Sequence, residues 1–139
     1  MAYIFHQDEL PKLTSVVPGR ERIPFVNKDL AGTDDLFTGV QRISKGSSSP
    51  YHYHEKCEHF YFIVEGAGTI DTEDGVKAIK TGDLIFIPEE EKHRLNAGAD
   101  ILMFEFQGPY KYKTVILDGG GQGLTWRQVD GSVRSHINK

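Results

Sequence analysis

Residues 46–66 read Gly-Ser-Ser-Ser-Pro-Tyr-His-Tyr-His-Glu-Lys-Cys-Glu-His-Phe-Tyr-Phe-Ile-Val-Glu-Gly, and this stretch decides the fold class of the chain. It contains His52, His54, Glu58 and His59, followed by an aromatic and aliphatic run. Alternate side chains of an extended strand point to the same side, so His52 and His54 converge on one point. Paired imidazoles with a further imidazole or carboxylate form a ligand set for a first-row divalent metal ion. The stretch therefore predicts a strand that carries a metal site.

Short segments rich in β-branched and aromatic residues lie on both sides of this stretch, with turn residues between them. The Asp-Gly pair at 74–75 predicts a hairpin. The predicted strands are 36–43, 51–54, 60–64, 69–72, 76–79, 84–87, 93–96, 101–106 and 114–117. Short strands at intervals of about 8 to 12 residues are typical of antiparallel sandwiches and barrels. The expected fold class is therefore all-β, an antiparallel jelly-roll barrel.

The 139 residues are expected to form a single domain. Residues 1–35 are predicted to be irregular N-terminal strands, an arm that packs on the barrel. The barrel core spans 36–117, and 118–139 form a glycine-rich C-terminal tail. Within the core, Phe104 and Phe106 alternate with more polar neighbours and are expected to face the interior.

Composition and charge exclude several classes of partner. The net charge of -4 and the absence of a basic run argue against a nucleic-acid partner. The single cysteine, Cys57, excludes an intramolecular disulfide and favours a reducing, cytoplasmic location. The N-terminus has no signal-peptide pattern, and the apolar runs are too short to span a bilayer. We therefore expect a soluble cytoplasmic protein that acts on a small molecule and has no membrane partner.

The spacing around the histidine pair resembles the first motif of the cupin superfamily. That motif is a glycine, five residues, His-x-His, three or four residues, an acid, six residues and a glycine. In this chain Gly46 is followed by five residues and then by His52-Tyr53-His54. Counting three residues on from the pair leads to Glu58, whereas counting back from Gly66 leads to His59.

A second stretch is similar to the other motif of the same superfamily. That motif is a glycine, five residues, Pro-x-Gly, two residues, a histidine, three residues and an asparagine. Here Gly82 precedes Pro88 by the same spacing, and His93 follows at the expected place. Glu90 stands where the motif has its glycine, and Asn96 arrives one residue early. Neither departure affects a histidine.

The resemblance implies one divalent transition metal, iron, manganese, nickel or zinc, and no organic cofactor. The implied ligands are His52, His54, His93 and either His59 or Glu58. We favour His59, because the aromatic run that follows it matches the family's strand after its third ligand. Strand parity favours Glu58, because it is an even number of residues from the histidine pair. The choice decides whether the ligands add a negative charge to the site.

The resemblance also implies a metal-dependent enzyme that acts on a small polar or chelating metabolite. A dioxygenase is the favoured reading, with a Lewis-acid isomerase or lyase, or a non-catalytic small-molecule-binding protein, as alternatives. Glu58, as a general base, and Tyr61, as a proton donor, are the candidate catalytic residues. A homodimer is expected from the resemblance to the family.

Overall fold

The computed structural model describes residues 2–109, 113–118, 125–128 and 133–135. Of the predicted glycine-rich tail at 118–139, residues 119–124, 129–132 and 136–139 lie outside these ranges. The strands are β1 (Leu13–Ser15), β2 (Arg20–Val26), β3 (Phe37–Ile43), β4 (His52–Glu55), β5 (Glu58–Glu65), β6 (Ala67–Thr72), β7 (Gly75–Lys80), β8 (Leu84–Ile87), β9 (His93–Ala97), β10 (Ile101–Gly108), β11 (Lys113–Ile116), β12 (Thr125–Gln128) and β13 (Val133–Ser135). A 3-10 helix spans Gln7–Glu9 and helix α1 spans Lys28–Ala31. No helix among the described residues has the length and apolar character needed to cross a membrane.

The strands form two antiparallel sheets. The larger has eight strands in the order β13-β12-β1-β2-β3-β10-β5-β8, and the smaller has five in the order β11-β4-β9-β6-β7. The hairpin predicted at 74–75 joins β6 to β7, and Gly75 has a φ of 118° that favours glycine at this turn. The all-β, antiparallel jelly-roll prediction is confirmed.

The two ends of the chain enter the larger sheet. Strands β1 and β2, from the segment predicted as an N-terminal arm, pair with each other, and β2 continues the sheet next to β3. Strand β12 pairs with β1, with Ser15 opposite Trp126. The larger sheet therefore includes residues from both outer segments as well as from 36–117.

The apolar core fills one part of the space between the sheets. It consists of the buried side chains Ile43, Tyr61, Ile63, Ile70, Ile79, Ile87, Leu95, Ala97, Ile101 and Met103. The rest of the interior is polar, and its buried arginine, glutamine, glutamate and histidine side chains come from both sheets. The functional candidates lie in this polar part.

The inward face of β10 differs from the sequence expectation. Met103 and Glu105 are buried, whereas Phe104 and Phe106 are only partly buried on the other face of the strand. Phe106 stacks on Phe60 of β5 there, with ring centroids 4.7 Å apart. The expectation that the two phenylalanines fill the interior is wrong, because hydrophobicity alone does not fix which face of a two-sided strand turns inward.

The contact between β2 and β3 depends on a residue without a side chain. A Cβ atom on Gly39 would lie 2.8 Å from the carbonyl oxygen of Ile23 and 3.3 Å from Cα of Pro24. We expect Gly39→Ala to lower the free energy of unfolding by about 1–3 kcal/mol, because the backbone of β2 must shift. Urea denaturation measures this change. Gly98→Ala is the control, since its nearest contact would be an ordinary 3.4 Å, and equal stability of the two variants would contradict the prediction.

Candidate metal centre

Two neighbouring strands of the smaller sheet bring three histidines together. His52 and His54 alternate with partly buried tyrosines on β4, and both imidazoles are buried. His93 begins β9 and lies directly opposite His52 in the antiparallel pair. One candidate ligand nitrogen from each of the three histidines lies within 4.8 Å of the others. The strand pairing therefore gathers imidazoles that are about 40 residues apart in the chain.

Backbone carbonyl groups fix the protonation of two of these rings. Nδ1 of His52 lies 2.6 Å from the carbonyl oxygen of Pro50, and Nδ1 of His93 lies 2.8 Å from that of Glu91. A carbonyl oxygen only accepts, so each Nδ1 carries the proton and donates it. Nε2 of each ring then keeps its lone pair, as metal ligation requires.

The third imidazole is oriented by a neighbouring strand. Nδ1 of His54 lies 2.8 Å from Oγ1 of Thr114, which stands opposite it on β11. Nε2 of His93 is buried, and no hydrogen-bond partner for it is present within the described ranges. A buried nitrogen of this kind is costly unless a ligand satisfies it. The donor set fits a divalent transition metal.

His59 faces the same cavity from the larger sheet, whereas Glu58 does not. The imidazole of His59 is 1% exposed, and its ring centroid lies 4.2 Å from that of His54 and 6.3 Å from that of His93. Glu58 is exposed on the opposite face of β5, so the carboxylate offered as a ligand or general base points away from the cluster. Lys56, with a φ of 59°, interrupts the alternation between β4 and β5, so Glu58 does not share the inward face of His52 and His54 although it is an even number of residues away.

Tyr61 and Gln107 surround His59 inside the barrel. The hydroxyl oxygen of Tyr61 lies 3.5 Å from Nδ1 of His59, and Gln107 pairs with His59 across β5 and β10. Burial and the nearby Glu105 raise the pKa of Tyr61 well above its ordinary value. The phenol therefore stays protonated at neutral pH and can donate a hydrogen bond to an oxygen atom in the cavity.

Burial keeps all four imidazoles neutral. It lowers the pKa of His93 to about 4, and together with the charge of His93 it lowers that of His59 to about 3. The pKa values of His52 and His54 also lie well below the ordinary value, mainly through burial and also through the neighbouring imidazoles. Neutral imidazole is the form that binds metal ions.

A network of charged side chains adjoins the histidines, and the sequence reading missed it. Arg22 on β2 makes a 2.8 Å ion pair with Glu105 on β10, and both side chains are buried. Gln41, on the strand between them, donates from Nε2 to Glu105 at 2.5 Å and accepts at Oε1 from Arg20 at 3.1 Å. Burial and the charge of Arg22 lower the pKa of Arg20 to about 10, which leaves Arg20 cationic at neutral pH.

The ring of Trp126 covers the two guanidinium groups. It is 1% exposed, and the central carbons of Arg22 and Arg20 lie 4.4 Å and 5.5 Å from its ring centroid. These distances are within the range of cation–π attraction. A segment predicted as the C-terminal tail thus supplies part of the wall.

The resulting cavity is small and polar. Its volume is about 30 Å³, which is space for a bound ion and one or two small groups. Its described lining comprises Arg20, Arg22, Gln41, Ser49, His52, His54, His59, Tyr61, His93, Leu95, Met103, Gln107, Thr114 and Trp126. The sequence held one signal of this network that was not used, because Arg20 and Arg22 are two residues apart and side chains at this spacing share a face of a strand.

A jelly-roll of two antiparallel sheets that encloses a histidine cluster defines the class of this protein. Residues 39–105 match a family model described as a cupin domain. Residues 39–105 therefore form a small cupin domain, as the two histidine motifs indicated.

Similar proteins have several different names. SchB from Streptomyces halstedii is 31% identical over 71 residues, 51% of this chain and 51% of SchB. A 5-nitrosalicylic acid 1,2-dioxygenase from a Bradyrhizobium species is 29% identical over 135 residues, 90% of this chain and 60% of that protein. The chain thus spans less than two thirds of the length of either relative.

One solved structure shares the fold over most of both chains. The polyketide cyclase RemF from Streptomyces resistomycificus superposes with a TM-score of 0.74 and 19% identity. The match covers 88% of this chain and 90% of RemF. At this level of identity the likeness shows the fold alone.

The neutral histidines predict a pH-dependent stability for the metal-free protein. Unfolding returns each ring to an ordinary pKa near 6.5, so the unfolded state binds more protons between about pH 6.5 and pH 4. The free energy of unfolding should therefore fall with decreasing pH in this window, by about 1.4 kcal/mol per pH unit for a fully buried histidine.

Urea denaturation at several pH values measures this slope. His93→Asn should reduce the slope of the free energy of unfolding against pH by the contribution of one buried histidine. His6→Asn, at an exposed position, should leave it unchanged. Equal slopes for wild type and His93→Asn would contradict the prediction.

Proposed function

We propose that the protein is a metal-dependent cupin enzyme and that Nε2 of His52, His54 and His93 binds one divalent ion. The observation that carries the proposal is the placement of these rings, with one candidate ligand nitrogen from each within 4.8 Å of the others. The carbonyl contacts of His52 and His93 leave the metal-binding nitrogens unprotonated. A bound ion would supply Lewis-acid polarisation and coordination positions for substrate and, in a redox-active case, for oxygen.

We propose His59 as the fourth ligand. Its buried imidazole adjoins His54, whereas the carboxylate of Glu58 lies on the outer face. Four neutral imidazoles add no negative charge to the site, which favours an anionic or chelating substrate. Imidazole nitrogens suit iron, nickel or zinc better than manganese, which prefers oxygen ligands.

A dioxygenase-type reaction on a small polar or chelating metabolite is the activity that we propose first. Its support is the 5-nitrosalicylic acid 1,2-dioxygenase, whose similarity extends over 90% of this chain. The buried walls of the cavity exclude bulk water from the reacting groups. Tyr61, protonated and next to His59, is the candidate proton donor to a substrate oxygen.

A non-oxidative Lewis-acid reaction, of the isomerase, lyase or cyclase kind, is the second candidate. The observation that supports it is the set of buried, neutral imidazoles, which can hold a Lewis-acid ion that undergoes no change of oxidation state. In such a reaction the same residues would bind and protonate the substrate without consuming oxygen. The homodimer and the cytoplasmic location stay predictions from the sequence.

Metal content of the purified protein tests the centre. We expect about one transition-metal ion per chain, and loss of that ion in His52→Ala and His93→Ala. Thr114→Val should weaken metal binding by about 10- to 100-fold, because His54 loses the group that orients its ring.

Two neighbouring substitutions test the fourth ligand. His59→Ala should lower metal affinity, whereas Glu58→Ala, the matched control on the outer face, should keep it. A metal-free wild type after careful preparation would refute the centre, and loss of metal in Glu58→Ala would refute the assignment of His59.

Oxygen consumption separates the two candidate reactions. Metal-loaded protein is incubated with a panel of catechols, hydroxybenzoates and diketones while dissolved oxygen is recorded by electrode. We expect uptake with at least one compound, and loss of that uptake in His93→Ala. Conversion of a substrate without oxygen uptake would favour the second candidate, and substrate binding without conversion would favour the non-catalytic alternative.

A further inference from the structure

Arg20 is a buried cation within the wall of the candidate site. It lies at the start of β2, opposite Ile43 of β3, and its side chain is 6% exposed. It lines the same cavity as His52, His54 and His93. A guanidinium in such a position loses its hydration and needs acceptors from the protein or from a ligand.

The hydrogen bonds of Arg20 are incomplete. Its Nη2 donates to Oε1 of Gln41 at 3.1 Å, but Nε and Nη1 are buried and have no hydrogen-bond partner among the residues that the structure describes. The face of Trp126 attracts the cation, yet it offers no lone pair to N–H groups in the plane of the guanidinium. Nε of Arg22 is also without a partner among the described residues, but Arg22 differs in having an ion pair, since its Nη2 lies 2.8 Å from Glu105.

The charges of the cavity also indicate that Arg20 lacks a negatively charged partner. Arg20 and Arg22 contribute two positive charges, and Glu105 contributes one negative charge. The lining formed by the described residues contains no aspartate or glutamate. The buried network therefore has an excess of one positive charge before any metal ion is added, and buried charges are normally paired.

We propose that Arg20 forms an anion subsite beside the histidine cluster and binds a carboxylate group of the substrate. The inference rests on the proposed function, because it assigns a substrate class to the same cavity. The substrate would place its carboxylate on Arg20 and a second polar group toward the histidines.

Size and geometry favour a carboxylate over a larger anion. A planar carboxylate accepts N–H groups that lie in the plane of a guanidinium, and this geometry is specific to arginine. The cavity of about 30 Å³ fits a small planar group better than a hydrated phosphate. The Gln41 contact fixes one edge of Arg20 and leaves its other donors for the ligand.

The only tryptophan of the sequence gives a direct measure of occupancy. Trp126 lies over Arg20 and Arg22, so an anion bound at Arg20 should change its fluorescence. The probes are sodium acetate and acetamide, which have nearly the same shape but differ in charge. We expect metal-free wild type at pH 7 to bind acetate at least about tenfold more tightly than acetamide.

Substitutions locate the effect. Arg20→Gln should weaken acetate binding at least about tenfold and leave acetamide unchanged. Arg42→Gln removes an exposed arginine from the outer face of β3 and should bind acetate as wild type does. If Arg20→Gln does not fold, Arg20→Lys and the acetate-induced rise in the melting temperature of wild type provide the same comparison. Equal binding of acetate and acetamide, or unchanged acetate binding in Arg20→Gln or Arg20→Lys, would overturn the proposal.

Metal content separates this inference from the proposed function. Arg20-dependent acetate binding in a wild-type protein that takes up no transition metal when metal is supplied would support the anion subsite and refute the metal centre. A protein that holds its metal but binds acetate independently of Arg20 would refute the subsite alone. Inorganic phosphate is the third probe, and phosphate binding tighter than acetate binding would overturn the choice of a carboxylate.

Discussion

Two-residue alternation along the strands is the constraint on which this molecule depends. Each strand of the two sheets has one face toward the enclosed space, so a shift of one residue would exchange the inner and outer side chains. On β4 that shift would place Tyr53 inside and move His52 and His54 to the surface. The register of β4 therefore determines two contacts of the cluster. These are the pairing of His52 with His93 and the contact of His54 with Thr114 on β11.

The histidines of the cluster could be predicted because they lie in short local patterns. His52 and His54 are two apart on one strand, and His93 follows a proline-containing turn at a spacing that the cupin family shares. The choice between Glu58 and His59 was harder, because it depends on one backbone angle. Lys56 adopts a left-handed conformation, which few residues other than glycine adopt and which no pattern in the sequence indicated.

The charged network could not be predicted in the same way, because its members come from three different strands. Arginine, glutamine and glutamate are residue types that usually lie at the surface, so nothing in the sequence marks Arg22, Gln41 and Glu105 as buried. The strand order β2-β3-β10 makes them neighbours. Hydrophobicity also pointed to the wrong face of β10, where Phe104 and Phe106 suggested the interior. A buried ion pair cannot be predicted from the rule that apolar side chains lie inside, because its stability depends on partners that are distant in sequence.

The contribution of both outer segments to the cavity follows from the same network. Arg20 and Arg22 come from the first 35 residues, and Trp126 comes from β12 near the other end of the chain. The two segments meet at these cations, because the ring of Trp126 lies 5.5 Å from the guanidinium carbon of Arg20 and 4.4 Å from that of Arg22. Among the lining residues that the structure describes, 36–117 supply the imidazoles of the cluster, and the N-terminal outer segment supplies both arginines. The candidate metal ligands and the cations of the wall therefore come from different parts of the chain, and Gln41 and Glu105 connect the two.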